Sequence, residues 1–134
     1  RGGTSASSRA LGVSEHVVVK TLVLEDDRKT PLIALMHGDR EVSTQALARH
    51  LGVRSIAPVT PDTANKLTGY EVGGTSPFGT RRALPIYVQS TILELPLIYL
   101  NGGKRGFLVS LAPHALTRVL APVALEMATS PRPS

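Results

Sequence analysis

V-V-V-K-T-L-V-L at 17–24, E-D-D-R-K-T at 25–30 and P-L-I-A-L-M at 31–36 follow one another in this 134-residue chain, and they decide its fold class. The first run is β-branched and apolar and predicts a buried strand; the last is apolar throughout and predicts a second. The polar hexapeptide between them predicts a turn, so the three read as a hairpin. Working outward, Ser43 predicts the N-cap of a helix running to about His50 and stopped by Gly52. Thr60 and Pro61 predict the start of a second helix, with Gly69 as its stop. Further on, 84–88 predicts a strand and 91–95 a short helical turn before Pro96. Strands at 97–100 and 107–111 flank the insert N-G-G-K-R-G at 101–106, and 113–120 predicts a closing helix. Strands arriving in runs, with short helices between them, make a mixed α+β domain.

The length suits one domain over 1–134, with the Gly/Ser-rich segment 1–9 and the T-S-P-R-P-S end, 129–134, as irregular tails. Hydrophobic content of 42% against 19% charged describes a globular chain rather than a disordered one. Without cysteine there is no disulfide, no thiolate–metal site and no cysteine nucleophile. No apolar run reaches the length of a membrane span, and the expected location is cytoplasmic. The net charge of +5 favours an anionic partner such as RNA, while 4% aromatics argues against a platform for stacking bases.

G-Y-E-V-G-G-T-S-P-F-G at 69–79 holds four of the twelve glycines. Gly73 and Gly74 allow backbone amides to approach a ligand, Pro77 stiffens the loop, and Thr75 and Ser76 add hydroxyls. An ordinary tight connection fits the same punctuation. The pattern is neither G-x-G-x-x-G nor a P-loop. Lys20 interrupts an apolar strand: it either faces solvent by alternation or points into a pocket, where its ammonium could stabilise a carbonyl or an oxyanion. His16, His37, His50 and His114 show no metal-ligand spacing, and His50 reads as a helix cap or surface residue. Glu25, Asp26 and Asp27 read as a solvated turn. Lys104 and Arg105, beside glycines, read as phosphate contacts or as an exposed basic loop.

Taken together, Val19-Lys20-Thr21-Leu22, Gly69-Tyr70 with G-G-T-S-P-F-G at 73–79, Leu84-Pro85 and G-G-K-R-G at 102–106 resemble the YbaK family, which includes the editing domain of bacterial prolyl-tRNA synthetases. The matches run in family order from about Leu11 to Leu120. The resemblance implies an α+β domain with a curved, mostly antiparallel mixed sheet and flanking short helices. It also implies hydrolysis of the ester joining a wrong amino acid to tRNA, most typically tRNA(Pro). Free-standing members are associated with Cys-tRNA(Pro), and close relatives remove alanine or other small residues. Lys20 is then the catalytic residue, without metal or other cofactor. Thr21, Gly73, Gly74, Thr75, Ser76, Pro77, Gly79, Asn101, Gly102 and Gly103 hold the aminoacyl-adenosine end. Arg81, Arg82, Lys104 and Arg105 contact the tRNA, and prolyl-tRNA synthetase is a further possible partner. The family's opening segment, part of its amino-acid pocket, is expected to precede Arg1. Asn101 stands where relatives often have serine, and Leu108 where some are acidic. A trans-editing deacylase is the first reading, a non-catalytic tRNA- or synthetase-binding module of the same fold the second, and a small-molecule hydrolase the third.

Overall fold

In the computed structural model, which describes residues 2–71 and 73–129, the hairpin forms the middle of the sheet. β1 (Val18–Asp26) and β2 (Pro31–His37) pair antiparallel over their whole length, from Val19 opposite His37 to Glu25 opposite Pro31. Every residue of β2 is buried, which explains its unbroken apolar run: the strand is flanked by β1 and β4 and covered on both faces. Lys29, at positive φ, closes the turn, and Asp26 Oδ1 accepts from the Arg28 and Thr30 amides.

The helices obey their caps. Ser43 accepts from the Ala46 amide at the start of α2 (Thr44–Leu51), and left-handed Gly52 ends it. Thr60 accepts from the Thr63 amide at the start of α3 (Pro61–Thr68), which Gly69 stops. α4 (Pro113–Leu120) also begins on proline. The expected helical turn is a 3-10 helix at Ser90–Glu94.

β3 (Ile56–Pro58), β4 (Ile86–Gln89), β5 (Ile98–Lys104), β6 (Phe107–Leu111) and β7 (Val123–Leu125) complete a seven-stranded sheet among the described residues. Its order is β6-β5-β1-β2-β4-β7, with β3 joined to β1. Three pairings are antiparallel, the longest among them, and three are parallel. One apolar layer, centred on Val23, Ile33, Leu35, Ile98, Leu100 and Leu116, covers one face. Another, with Leu24, Leu32, Met36, Leu47, Ile56 and Met127, covers the other. No helix among the described residues is long and apolar enough to cross a membrane.

Three expectations need correction. The expected tail at 1–9 is not irregular over its described residues: 2–9 belong to a helix, α1 (Gly2–Leu11). Glycine and serine are weak helix formers, so tertiary contact outweighs propensity here. Thr4 Oγ1 donates to Glu15 Oε2 at 2.7 Å, Ser8 is buried, and left-handed Gly12 ends the helix. The 101–106 insert is not a loop throughout, because β5 runs on through Lys104 to a turn at Arg105-Gly106, after which β6 begins at Phe107 as expected. A register shift between Asn101 and Lys104 absorbs the glycines, and Gly103 has a φ of 122°. Thr129, assigned to the irregular end, donates its amide to the Glu41 carbonyl at 2.9 Å; 130–134 lie outside the described residues.

Candidate functional site

β1 is covered unevenly. On the edge away from β2 it pairs with β5 at Val18–Val19 and with β3 from Leu24 to Asp26. Between these partners no strand among the described residues pairs with 20–23 on that edge, and a cleft of about 700 Å³ opens there. Neighbouring strands that diverge leave a crevice where ligands bind in many α/β sheets.

Four segments wall it. β1 contributes Val18, Val19, Lys20 and Thr21; the glycine loop contributes Gly73 and Thr75. The β5–β6 hairpin adds Asn101, Arg105, Gly106 and Leu108. α1 adds Gly3, Thr4, Ala6 and Ser7, a wall of small residues that the sequence reading did not assign. Among the described residues, the lining side chains carry hydroxyls, one carboxamide, one ammonium and one guanidinium, and none is a carboxylate, histidine or cysteine. Lys20 is thus one of the residues lining the cleft, and its ammonium pairs with a carboxylate outside that lining. Its Nζ donates to Glu41 Oε2 at 3.1 Å, and its side chain is only 18% exposed. Thr21 Oγ1 is buried and has no hydrogen-bond partner among the described residues.

Asn101 stitches two walls together. Its Nδ2 donates to the Gly73 carbonyl at 3.0 Å while its Oδ1 accepts from the Gly103 amide at 2.7 Å. The loop is packed tightly onto the hairpin: a Cβ on Gly74 would lie 3.0 Å from the Arg105 amide nitrogen and the Lys104 carbonyl carbon. Tyr70 closes the loop by donating its hydroxyl to the Phe78 carbonyl.

Several expected contacts point elsewhere. Ser76 is buried and its Oγ accepts from the Phe78 amide, so this hydroxyl serves the loop's own turn. The Gly74 amide donates to the Glu71 carbonyl and is likewise spent internally. Pro77, Gly79, Gly102 and Gly103 shape the loop and the hairpin and do not line the cleft. Gly102 lies against Phe107 and Val109, and Gly103 against the Tyr70 ring. Arg81 and Arg82 are exposed beyond α3, outside the cleft, as is Lys104. Arg105 enters the wall.

A second cluster was illegible in sequence. The His16 and His37 rings stack at 3.8 Å, and Asp39 Oδ1 lies 3.0 Å from His16 Nδ1. His37 Nδ1 donates to the His16 carbonyl and its Nε2 accepts from the Thr91 hydroxyl. Candidate ligand atoms of His16, His37 and Asp39 lie within 4.8 Å of one another, but both His37 nitrogens are engaged in hydrogen bonds. Burial holds the His37 imidazole below the usual histidine range. Asp27 is held below the usual carboxylate range, chiefly by the Ser55 amide, with Arg54 assisting; it ties the hairpin turn to β3. His50 donates from its ring to the Glu126 carbonyl at the surface.

Comparison with known proteins agrees with this geometry. Residues 3–119 match the model of the aminoacyl-tRNA editing domain. A proposed Cys-tRNA(Pro)/Cys-tRNA(Cys) deacylase, EbsC of Enterococcus faecalis, is 29% identical over 109 residues, 81% of this chain and 66% of that protein. A proline–tRNA ligase of Nitratidesulfovibrio vulgaris is 32% identical over 130 residues, 94% of this chain but only 22% of the ligase. The crystal structure of a proposed trans-editing enzyme for prolyl-tRNA synthetase superposes with a TM-score of 0.87 at 23% identity, covering 95% of this chain and 80% of that one. With the sheet, the glycine loop and the lysine cleft in place, this chain belongs to the aminoacyl-tRNA editing domain family.

Proposed function

We propose that this domain hydrolyses the ester of a mischarged tRNA, with a small amino acid on tRNA(Pro), cysteine foremost, as substrate, acting in the cytoplasm in trans to prolyl-tRNA synthetase. The observation that carries the reading is Lys20, a cation lining a cleft walled by the glycine loop and Asn101. The relationship to EbsC favours cysteine, and the small residues of α1 suit a compact side chain.

An aminoacyl ester is already activated, so the residues need only orient it and stabilise charge. Lys20 meets the carbonyl oxygen, where negative charge develops as a water oxygen bonds to the carbonyl carbon. The bond to the ribose oxygen then breaks, and that oxygen takes the proton surrendered by the water; the neighbouring ribose hydroxyl relays it. Thr21 Oγ1, Thr75 and the Asn101 carboxamide hold the ribose and acyl groups. Arg105, with Lys104, Arg81 and Arg82 on the outer surface, draws in the phosphates. Gly74, Ser76, Pro77, Gly79, Gly102 and Gly103 act by shaping this wall.

The test is deacylation of Cys-tRNA(Pro), Ala-tRNA(Pro) and Pro-tRNA(Pro) by the wild type and by Lys20→Ala. One mischarged species is lost rapidly, Pro-tRNA(Pro) is spared, and the variant is slower by about 10²–10³-fold, the cost of one preorganised stabiliser. A wild type that binds tRNA but hydrolyses none of the three is a binding module, and the catalytic reading falls.

A further inference from the structure

Lys20 lines the cleft with a partner already in place. Its Nζ meets Glu41 Oε2 at 3.1 Å, and the carboxylate is 55% exposed while the lysine is 18% exposed. Glu41 Oε1 makes no hydrogen bond within the described residues. The backbone beneath it is pinned: the Glu41 carbonyl accepts from the Thr129 amide, Val42 bridges to Ala128, and Arg40 donates to the Thr129 carbonyl. The ion pair thus joins a cleft-lining lysine to a carboxylate on a pinned segment, with an oxygen to spare.

Resting on the deacylase reading above, we propose that Glu41 receives the α-ammonium of the aminoacyl ester while Lys20 receives its carbonyl oxygen, making the free amine a required recognition element. The spacing supports it. In N–Cα–C=O the nitrogen and oxygen lie about 3 Å apart when they point the same way. The Lys20–Glu41 pair presents opposite charges at 3.1 Å, in the complementary order. Electrostatics supports it too. Among the described residues the charged groups lining the cleft are Lys20 and Arg105, both cations, so an entering α-ammonium is repelled unless an anion meets it. Glu41 is the carboxylate within reach of the lysine that holds the adjoining atom. It then separates aminoacyl esters from N-acylated ones, which lack the charge and carry extra bulk.

The experiment takes whichever mischarged tRNA the wild type hydrolyses fastest and compares it with its N-acetylated form, using wild type and Glu41→Gln, with melting curves on both proteins. In the wild type, N-acetylation lowers kcat/KM by about tenfold or more, the scale of one charged hydrogen bond. Glu41→Gln loses a similar factor on the free amine and nothing further on the acetylated ester, so the ratio between substrates collapses toward unity. Equal losses on both substrates would show that Glu41 only positions Lys20. Equal gains would show that it only masks the lysine, and an unchanged ratio would show no role; each overturns the inference while leaving the deacylase reading intact. A wild type inactive on every mischarged tRNA removes the deacylase reading and this inference with it.

Discussion

Gly38 links β2 to the segment carrying Glu41, and an alanine there tests the packing that positions α1. Its backbone is outside the left-handed region, so the cost of a side chain is purely one of space. A Cβ would lie 2.7 Å from the Glu15 carbonyl oxygen, 2.8 Å from Thr4 Cβ and 2.8 Å from the Val18 carbonyl oxygen. Each contact is short by about 0.6 Å, and two of the three neighbours are backbone that cannot swing aside. Displacing the Val18 carbonyl also strains the bond it accepts from the Gly38 amide at 2.6 Å. Overpacking of this kind costs about 1–3 kcal/mol and a weakened hydrogen bond about 1 more, giving about 3 kcal/mol together. At this chain length, about 4 °C per kcal/mol, the melting temperature falls by about 12 °C.

The control is Gly52→Ala, where φ is 68° and nothing lies within 4 Å of the new carbon. It pays only for left-handed backbone, about 1 kcal/mol. Circular-dichroism melts of the two variants separate the mechanisms. The functional consequence is a raised KM for deacylation, since Thr4 lines the cleft and also donates to the Gly38 carbonyl. Equal melting temperatures for the two variants would refute the claim that α1, the Glu15 turn and β1 converge on a rigid point.

Two further outcomes follow from the charges. His37 is held below its ordinary value of 6.5 by burial, with His16 and Arg40 adding to the effect and the His16 carbonyl and Asp39 opposing it. The unfolded chain therefore binds a proton that the folded one resists, so the stability is complete above the unfolded value and is lost as pH falls through the folded one; melting temperature should drop between about pH 7 and pH 5, and His37→Asn should flatten that slope. Arg81→Ala with Arg82→Ala should weaken tRNA binding and reduce the slope of log K against log salt by about 1–2, and an unchanged slope removes both from the interface.

The parts of this fold that could be read from sequence are those whose causes are local. Ser43 and Gly52, or Thr60 and Gly69, are each a few residues from the bonds they make, and the turn before Thr30 is closed by Asp26 next door. What escaped depends on distant partners. α1 is a helix because Thr4 reaches Glu15 and Gly38, not because its glycines and serines favour it. β3 and β7 are three residues each and exist by pairing with β1 and β4. The 101–106 segment looked like a loop because a bulge uses the same glycines a turn would. Ser76 was within reach of a finer reading: a serine two residues before Phe78, with a proline between, can turn its hydroxyl back onto that amide, as it does here.

The same division governs the site. That Lys20 was out of place in an apolar strand was visible; which way it pointed was not, because the answer lies on the far edge of β1. β5 leaves that edge after Val19 and β3 joins it only at Leu24, and the gap between them turns an interrupted strand into the floor of a cleft. Glu41 is 21 residues away along the chain and meets Lys20 because the segment after β2 is clamped to 127–129. A substitution that loosens the clamp, far from the cleft, should then disturb the lysine's partner while leaving the lysine on its strand. For this reason the free-amine preference, and not the rate alone, is the sensitive readout of how the fold builds its site.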